Sequence, residues 1–436
     1  SVITLINNFA DKVLNLTLKD VKIDVSNTGR ENHAGKAALS VQGEGNVEIE
    51  LDGKNELKSG YYRAGLEKNT SAGTLTLKDD NKEAGSGSLN AEGGALSAGI
   101  GGSYNGDSAN NGTKNIIITG GTVTATGGDG GAGIGGGNGG AAENITITGS
   151  TVTATGDRGG AGIGGGAGES NRGNGNNITI TGSTVTAISN GCGQRGNGGG
   201  AGIGGGCNRN GSHITINGGT VTAEGGDHGA SIGGGAKGSG SNVTVSGAAQ
   251  VTAIAGKGDR WDGAGATIGS GSGGSTKNPD GTFTPGSGQE IRANISGLIP
   301  GWIHHIIYDP ALVPADNPDG ILKEWWEPEY PQPNPEDPNA PAEESNEVDL
   351  GTPGLHVETL EGVLLPFDAR QQGSTLRVTS DTLAARLHGT RQALEALREQ
   401  GVEQIQFVTT LKTTTLSVED LLAEGGSWFA LEHDGL

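Results

Sequence analysis

The sequence predicts an all-β chain: a parallel β-helix, a solenoid of about eight three-stranded coils, followed by an acidic Pro-rich linker and a small α+β module. Two observations carry the solenoid. A unit of about thirty residues recurs, and such a fixed period makes each unit one supersecondary element stacked on its neighbours. Its clearest copy is Asn144-Ile-Thr-Ile-Thr-Gly-Ser-Thr-Val-Thr-Ala-Thr-Gly-Asp-Arg-Gly-Gly-Ala-Gly-Ile-Gly-Gly-Gly166, and others start at Asn115, Asn177, His213 and Asn242. The second observation is composition. Gly is 86 of 436 residues, aromatics are 3% and hydrophobics 32%. That mixture cannot fill a globular core, and without the period it would read as disorder. Regularly placed Ile and Val reverse the reading.

Each unit contains three short strands. In Ile145-Thr-Ile-Thr148 the alternation turns Ile145 and Ile147 inward and Thr146 and Thr148 outward. Gly149-Ser150 bends the chain, and Thr151-Val-Thr-Ala-Thr155 then puts Val152 and Ala154 inside. After a Gly-rich loop, Ala161-Gly-Ile-Gly164 offers one large core side chain, Ile163. Two inner rows are expected: Val123, Val152, Val185, Val221 and Val251, and Ile134, Ile163, Ile203, Ile232 and Ile268. Unequal unit lengths fall in the loops, as solenoid insertions should. Upstream, Leu14–Asp24, Val47–Leu51 and Thr74–Lys78 alternate in the same way with charged outer faces, so they start the stack.

The expected domains are 1–275 for the β-helix, 276–351 for a linker or docking segment, and 352–436 for the module. Residues 309–349 hold 12 acidic residues against 1 basic residue and many Pro, the pattern of an extended, self-repelling linker. Its two Trp, Trp325 and Trp326, point to docking of part of it. In the module, strands are expected near Leu376–Thr379, Glu403–Val408 and Ser427–Leu431. A helix is expected from Arg391 to Gln400, capped by Thr390 and stopped by Gly401, with a shorter one after Ser417.

Charge excludes some classes. The chain carries −21 overall. Residues 1–300 hold 25 acids against 21 bases, and the remainder holds 24 against 7. Neither part offers the basic face that nucleic acid needs. No run of about eighteen apolar residues exists, so no membrane-inserting helix is expected. The chain begins at Ser1 without Met, which fits a processed or excised piece of a longer protein.

Candidate chemistry is sparse. Asp129, Asp157, Asn197, Asp227 and Asp262 precede the core Ile of their coils by five or six residues. Stacked, they would line one corner and could hold Ca²⁺ through carboxylate and backbone oxygens. Asp and Asn beside Gly are equally ordinary turn formers. Thr122/Thr124, Thr151/Thr153, Thr184/Thr186 and Thr220/Thr222 form hydroxyl rows suited to a glycan or ice surface, or simply to an outer strand face. Solenoid enzymes need clustered acids or an Arg–acid pair on adjacent coils, and Thr cannot do that work. A ligand contact is expected at Tyr61, Tyr62, Asp259, Trp261 and Asp262, the aromatics and charges nearest breaks in the pattern. Cys192 and Cys207 flank the longest loop, as a disulfide or as two unrelated thiols. In Trp302-Ile-His-His-Ile-Ile-Tyr308, a strand should turn one His in and the other out. The triple-Gly stretches lack the Lys-Ser/Thr and the helix of a phosphate loop.

The Asn-Ile-Thr-Ile-Thr-Gly, Thr-Val-Thr-Ala and Ala-Gly-Ile-Gly-Gly-Gly segments resemble the Gly-rich parallel β-helix domains of secreted surface proteins from anaerobic, gut-type Gram-positive bacteria. The resemblance covers residues 1–275. It implies an extracellular, modular setting, carbohydrate-binding or adhesin-like labels and bound Ca²⁺, with no catalytic motif to carry over. The combined expectation is a non-enzymatic, extracellular stalk or adhesin segment with weak glycan binding and self-association through its end coils or terminal module. The alternative is a polysaccharide-binding or polysaccharide-active β-helix.

Overall fold

A computed structural model of the chain describes residues 1–80, 87–106, 111–168, 173–191, 198–259, 262–273, 276–278, 283–284, 286–298, 300–308, 321–328, 355–360, 364–365, 367–380, 382–424 and 428–434. The first compact unit, Ser1–Pro331, is a stack of coils built on parallel ladders. Each coil contributes one strand to a narrow face and two to a long, bent face. Among the described residues the narrow face has nine strands, from Ile3–Ile6 to Ile268–Gly269, against about eight coils expected.

The inward rows fall where alternation placed them. Val123, Val152, Val185, Val221 and Val251 pair in register from coil to coil. Ile134, Ile163, Ile203, Ile232 and Ile268 do the same on the narrow face. All ten are at most 1% exposed, each contributing roughly 2 kcal/mol of apolar burial. Because register is fixed by these rows, added residues can enter only at corners.

Two corner devices hold the geometry. The first residue of each unit bends backward at positive φ: Asn115 at 60°, Asn144 at 57°, Asn177 at 55°, His213 at 55° and Asn242 at 53°. Asn tolerates this conformation, and the aligned side chains bond along the axis. The Asn144 amide donates to Asn115 Oδ1 at 3.0 Å, and Asn177 donates to Asn144 at 3.2 Å. The second device is the Gly after each narrow-face Ile. Gly101, Gly135, Gly164, Gly204, Gly233 and Gly269 all lie between φ 130° and 148°. A Cβ on Gly164 would sit within 3.0 Å of the Gly204 carbonyl, the oxygen that accepts from Gly165 N.

The stack runs further than a boundary at 275 allows. Trp302–Tyr308 adds to Gln250–Ile254 in parallel, with Val251 beside Ile303 and Ala253 beside His305. Ile321–Glu327 then adds antiparallel to Trp302–Tyr308. Thus Trp325 and Trp326, expected in the linker, belong to the end of the solenoid. His305 points in at 2% exposure and His304 lies half-buried, as the alternation required.

Among the described residues, the second compact unit, Gln332–Leu436, contains two four-stranded sheets and two helices around Val357, Val378, Leu387, Leu397, Ile405 and Phe407. The helix Arg391–Glu399 starts at Thr390, whose hydroxyl accepts from Ala393 N, and Gly401 follows at φ 81°. The helix Val418–Ala423 is capped by Ser417 through Asp420 N. Strands Thr375–Thr379, Gln404–Val408 and Trp428–His433 match those expected. Leu355–Glu358, Asp368–Gln372, Ala385–Thr390 and Thr413–Ser417 were not read from the sequence. No helix among the described residues is long and apolar enough to cross a membrane.

Candidate functional site

The acidic corner does not stack as a ladder. Thr126 pairs with Thr155 and Ile134 with Ile163, so Asp129 lies over Arg158 and not over Asp157. A one-residue difference in distance to the core Ile moves the acid to another place in the turn. Arg158 accordingly reaches Asp129 at 3.4 Å, a pair open to solvent. Asp262 N donates to Asp259 Oδ1 at 2.8 Å and Asp259 N to the Asp262 carbonyl at 2.7 Å, so these two acids are tied to each other. Among the described residues no three His, Cys, Asp or Glu side chains come together to hold a metal. Asn197 lies outside the described residues.

The ligand positions separate into two places. Tyr61 and Tyr62 occupy the corner between Lys54–Lys58 and Leu66–Lys68, whereas Asp259 and Asp262 sit six coils further along the stack, and Trp261 lies outside the described residues. Asp259 faces His228 at 4.0 Å, and His228 Nδ1 meets the Gly263 carbonyl at 3.0 Å, so that corner is tied to its own turns. Cys207 is buried beside Ala167 and Ala236, and the Asn208 amide donates to its Sγ at 3.4 Å. Cys192 lies outside the described residues, and with it the pairing.

Around Tyr61 and Tyr62 the structure builds a patch. Tyr62 is held at φ 64° and, like Tyr61, is half-buried. Tyr104, one coil on, joins it: ring centroids are 4.6 Å apart for Tyr61–Tyr62 and 4.8 Å for Tyr62–Tyr104. Glu67 anchors the patch from below. Its carboxylate accepts from Ser40 at 2.9 Å, Ser103 at 2.6 Å and Arg63 at 3.2 Å, while Ser103 Oγ accepts from Ala64 N at 2.8 Å. Arg63 follows Tyr62 and Ser103 precedes Tyr104, so this network fixes the spacing of the two segments that carry the rings. Three half-buried phenols on a rigid base are a surface on which a sugar face can stack.

The long faces are rows of hydroxyls. Thr122, Thr151, Thr184 and Thr220 stand in register, as do Thr124, Thr153, Thr186 and Thr222. Towards the first coil the long face becomes charged, and the charges pair across coils: Lys22–Glu56 at 2.7 Å, Lys58–Glu92 at 2.9 Å and Lys78–Glu48 at 3.0 Å. Hydrogen bonding to these carboxylates holds the Lys58 and Lys78 ammonium groups above the usual lysine range.

A further polar group, missed in the sequence, closes the far end of the stack. Glu290 accepts from Thr267 N at 2.6 Å, Thr267 Oγ1 at 2.9 Å and Ile268 N at 3.0 Å. Thr267 Oγ1 lies 2.6 Å from His305 Nδ1. The His305 ring stacks on Trp325 at 4.4 Å, and that of His304 on Trp326 at 4.0 Å. Glu327 lies 3.7 Å from His305 Nε2, and this imidazole, aided by Arg292, keeps its carboxyl below the ordinary range. Only a scan for acids and bases beyond the last Gly-rich corner would have found this group.

Ladders, inner rows and corner glycines together define a parallel β-helix protein. A family of β-helix repeats matches residues 85–104, 116–138, 145–167 and 214–236. The matched segments coincide with the coils whose Ile-Gly strands stack, so the chain carries a parallel β-helix domain. No curated protein and no solved structure matches the chain.

Proposed function

We propose that this protein is an extracellular structural or adhesive solenoid, a rigid segment of a cell-surface protein or filament that makes weak glycan contacts through the Tyr61–Tyr62–Tyr104 patch. The observation that supports the reading most is the outer surface of the regular coils, which carries Thr rows in register rather than opposed acids. Hydroxyl rows suit a scaffold, and the tyrosine patch gives that scaffold one place with stacking area. Cell-surface placement rests on the resemblance of the repeat alone. Ca²⁺ stays outside the proposal, since the acidic corner is out of step.

Affinity electrophoresis against a panel of neutral and acidic polysaccharides tests the reading. Retardation by at least one polymer is expected, and Tyr62→Ala with Tyr104→Ala should weaken it about tenfold, the size of one or two lost stacking contacts. Release of reducing ends from any polymer would favour the polysaccharide-active alternative. No retardation by any polymer would remove the glycan contact.

A further inference from the structure

The two ends of the stack are unlike. At the far end the chain covers its own last coil. On the narrow face Ile291 N donates to the Ile268 carbonyl at 2.9 Å and Ser270 N to the Gln289 carbonyl at 3.0 Å, and on the long face Val245 N donates to the Asn294 carbonyl at 3.0 Å. Trp302–Tyr308 and Ile321–Glu327 cover the remaining strand, with Leu298 and Ile303 buried in that cover. The outermost strand there carries Lys323, Glu324 and Glu327, charges of the kind that keep a free edge from pairing.

At the first coil nothing among the described residues covers the stack. Ile3–Ile6, Val13–Lys19 and Lys22–Asp24 each pair on one side only, with Leu39–Gln42, Asn46–Asp52 and Lys54–Lys58. Their outer edges are rows of unpaired backbone N–H and C=O groups. The inner row is open with them. Ile3, Leu5, Leu14 and Leu16 are only half-buried, whereas their partners one coil on, Leu39, Val41, Val47 and Ile49, are at most 3% exposed. Of the eight exposed large apolar side chains among the described residues, four lie here, Val2, Ile6, Phe9 and Val13, so they form a patch rather than a scatter. Phe9 is 69% exposed on a fixed turn. Asn7 Nδ2 donates to the Lys12 and Asn46 carbonyls at 2.9 and 2.8 Å, and Asn7 Oδ1 accepts from Phe9 N at 3.1 Å.

A second copy of the chain fits this face. Two first coils can stack inner row on inner row only about a two-fold axis that crosses Val13–Lys19, which makes the two strands antiparallel. Pairing all seven residues centres the register on Leu16, so Leu14 meets Leu18 of the second copy and the alternation of inner and outer positions is kept. The same register sets Lys12 opposite Asp20 of the second copy, twice by symmetry, and no like charges face each other between Asp11 and Val21. Phe9, just before the strand, then falls beside the half-buried Val21 just after it. Head-to-tail addition has no such match, because the far end offers one charged edge to three open ones.

We propose that the first coil is a self-complementary interface through which the chain forms a closed head-to-head dimer, with Val13–Lys19 antiparallel to the same strand of a second copy. Growth stops at two because the far end is covered. The inference rests on the fold and not on glycan contact, and its test leaves the tyrosine patch untouched.

Sedimentation velocity of the full chain in reducing buffer, from about 1 to about 100 µM, reads the assembly state. A reversible monomer–dimer equilibrium with no larger species is expected. Phe9→Ser with Val13→Lys, both at exposed positions, should weaken the dimer about a hundredfold or more. Lys12→Asp sets like charges across the axis and should weaken it about tenfold, and adding Asp20→Lys to the same chain should restore it. Leu322→Lys, at the far end, should change nothing. Melting curves confirm that the variants fold. The proposal is overturned if the chain stays monomeric throughout, if it grows beyond two copies, if the folded Phe9→Ser, Val13→Lys variant dimerises as the parent does, or if the charge exchange fails to restore what Lys12→Asp loses.

Discussion

Replacing Gly164 by alanine is expected to destabilise the solenoid by at least about 4 kcal/mol, enough to leave little folded protein at 37 °C. Two effects add. At φ 140° an L side chain is strained whatever surrounds it, and the new Cβ would press on the Gly204 backbone, which cannot yield without breaking the Gly165–Gly204 hydrogen bond. Gly149→Ala is the matched control. Gly149 also has positive φ, at 58°, but a Cβ there meets nothing within 4 Å, so the cost should be about 1 kcal/mol. Urea denaturation of both variants checks the contrast. Equal losses would mean that the narrow-face glycines are not set by coil-to-coil approach.

The second large effect concerns Lys68. It lies at an inner position of Leu66–Lys68, 1% exposed, with its ammonium donating to the Asn69 carbonyl at 2.9 Å and to the Ser71 carbonyl at 3.1 Å. Burial, with a lesser push from Lys114, lowers its pKa from 10.5 to about 8. Between those two values the unfolded chain holds a proton that the folded chain has released. Folding is therefore favoured progressively as pH rises from about 8 to 10.5, by about 3 kcal/mol in total, and the charged form is the costly one at neutral pH. Other lysines and tyrosines titrate in the same window, so the readout is the stability of the parent minus that of Lys68→Met at each pH. That difference should climb through the window. A flat difference from pH 7.5 to 10.5 would show that Lys68 keeps its charge in place.

What could be read in the sequence was what repeats. Period-two alternation fixed which of Ile145, Thr146, Ile147 and Thr148 face the core, and repetition at thirty residues fixed their stacking partners. Thr390, Gly401 and Ser417 marked both helices because capping is chemistry within four residues. Position within a turn is a different matter. A single residue of slip between Asp129 and Asp157 leaves composition unchanged and removes the acidic ladder, so proximity in a repeat alignment overstated contact. Lys68 faces inward at the end of the three-residue strand Leu66–Lys68, too short a segment for period-two alternation to mark a polar residue as buried. The polar group at the far end escaped because Glu290, His305 and Glu327 come from segments without the repeat. Their pairing depends on a strand reversal across Trp302–Glu327, and no local pattern encodes it.

The Thr rows have a consequence for recognition that single contacts lack. Each row presents the same group at the same interval, roughly the 4.8 Å strand spacing, from Thr122 to Thr220. A polymer lying along such a row finds several placements of equal energy and can shift by one coil without losing a contact. Binding there would be degenerate, avid in number and blind to position. Any unique address on this rod must come from places where translation symmetry fails; among the described residues these include the charged first coils, the three tyrosines and the Glu290–His305–Glu327 group at the far end.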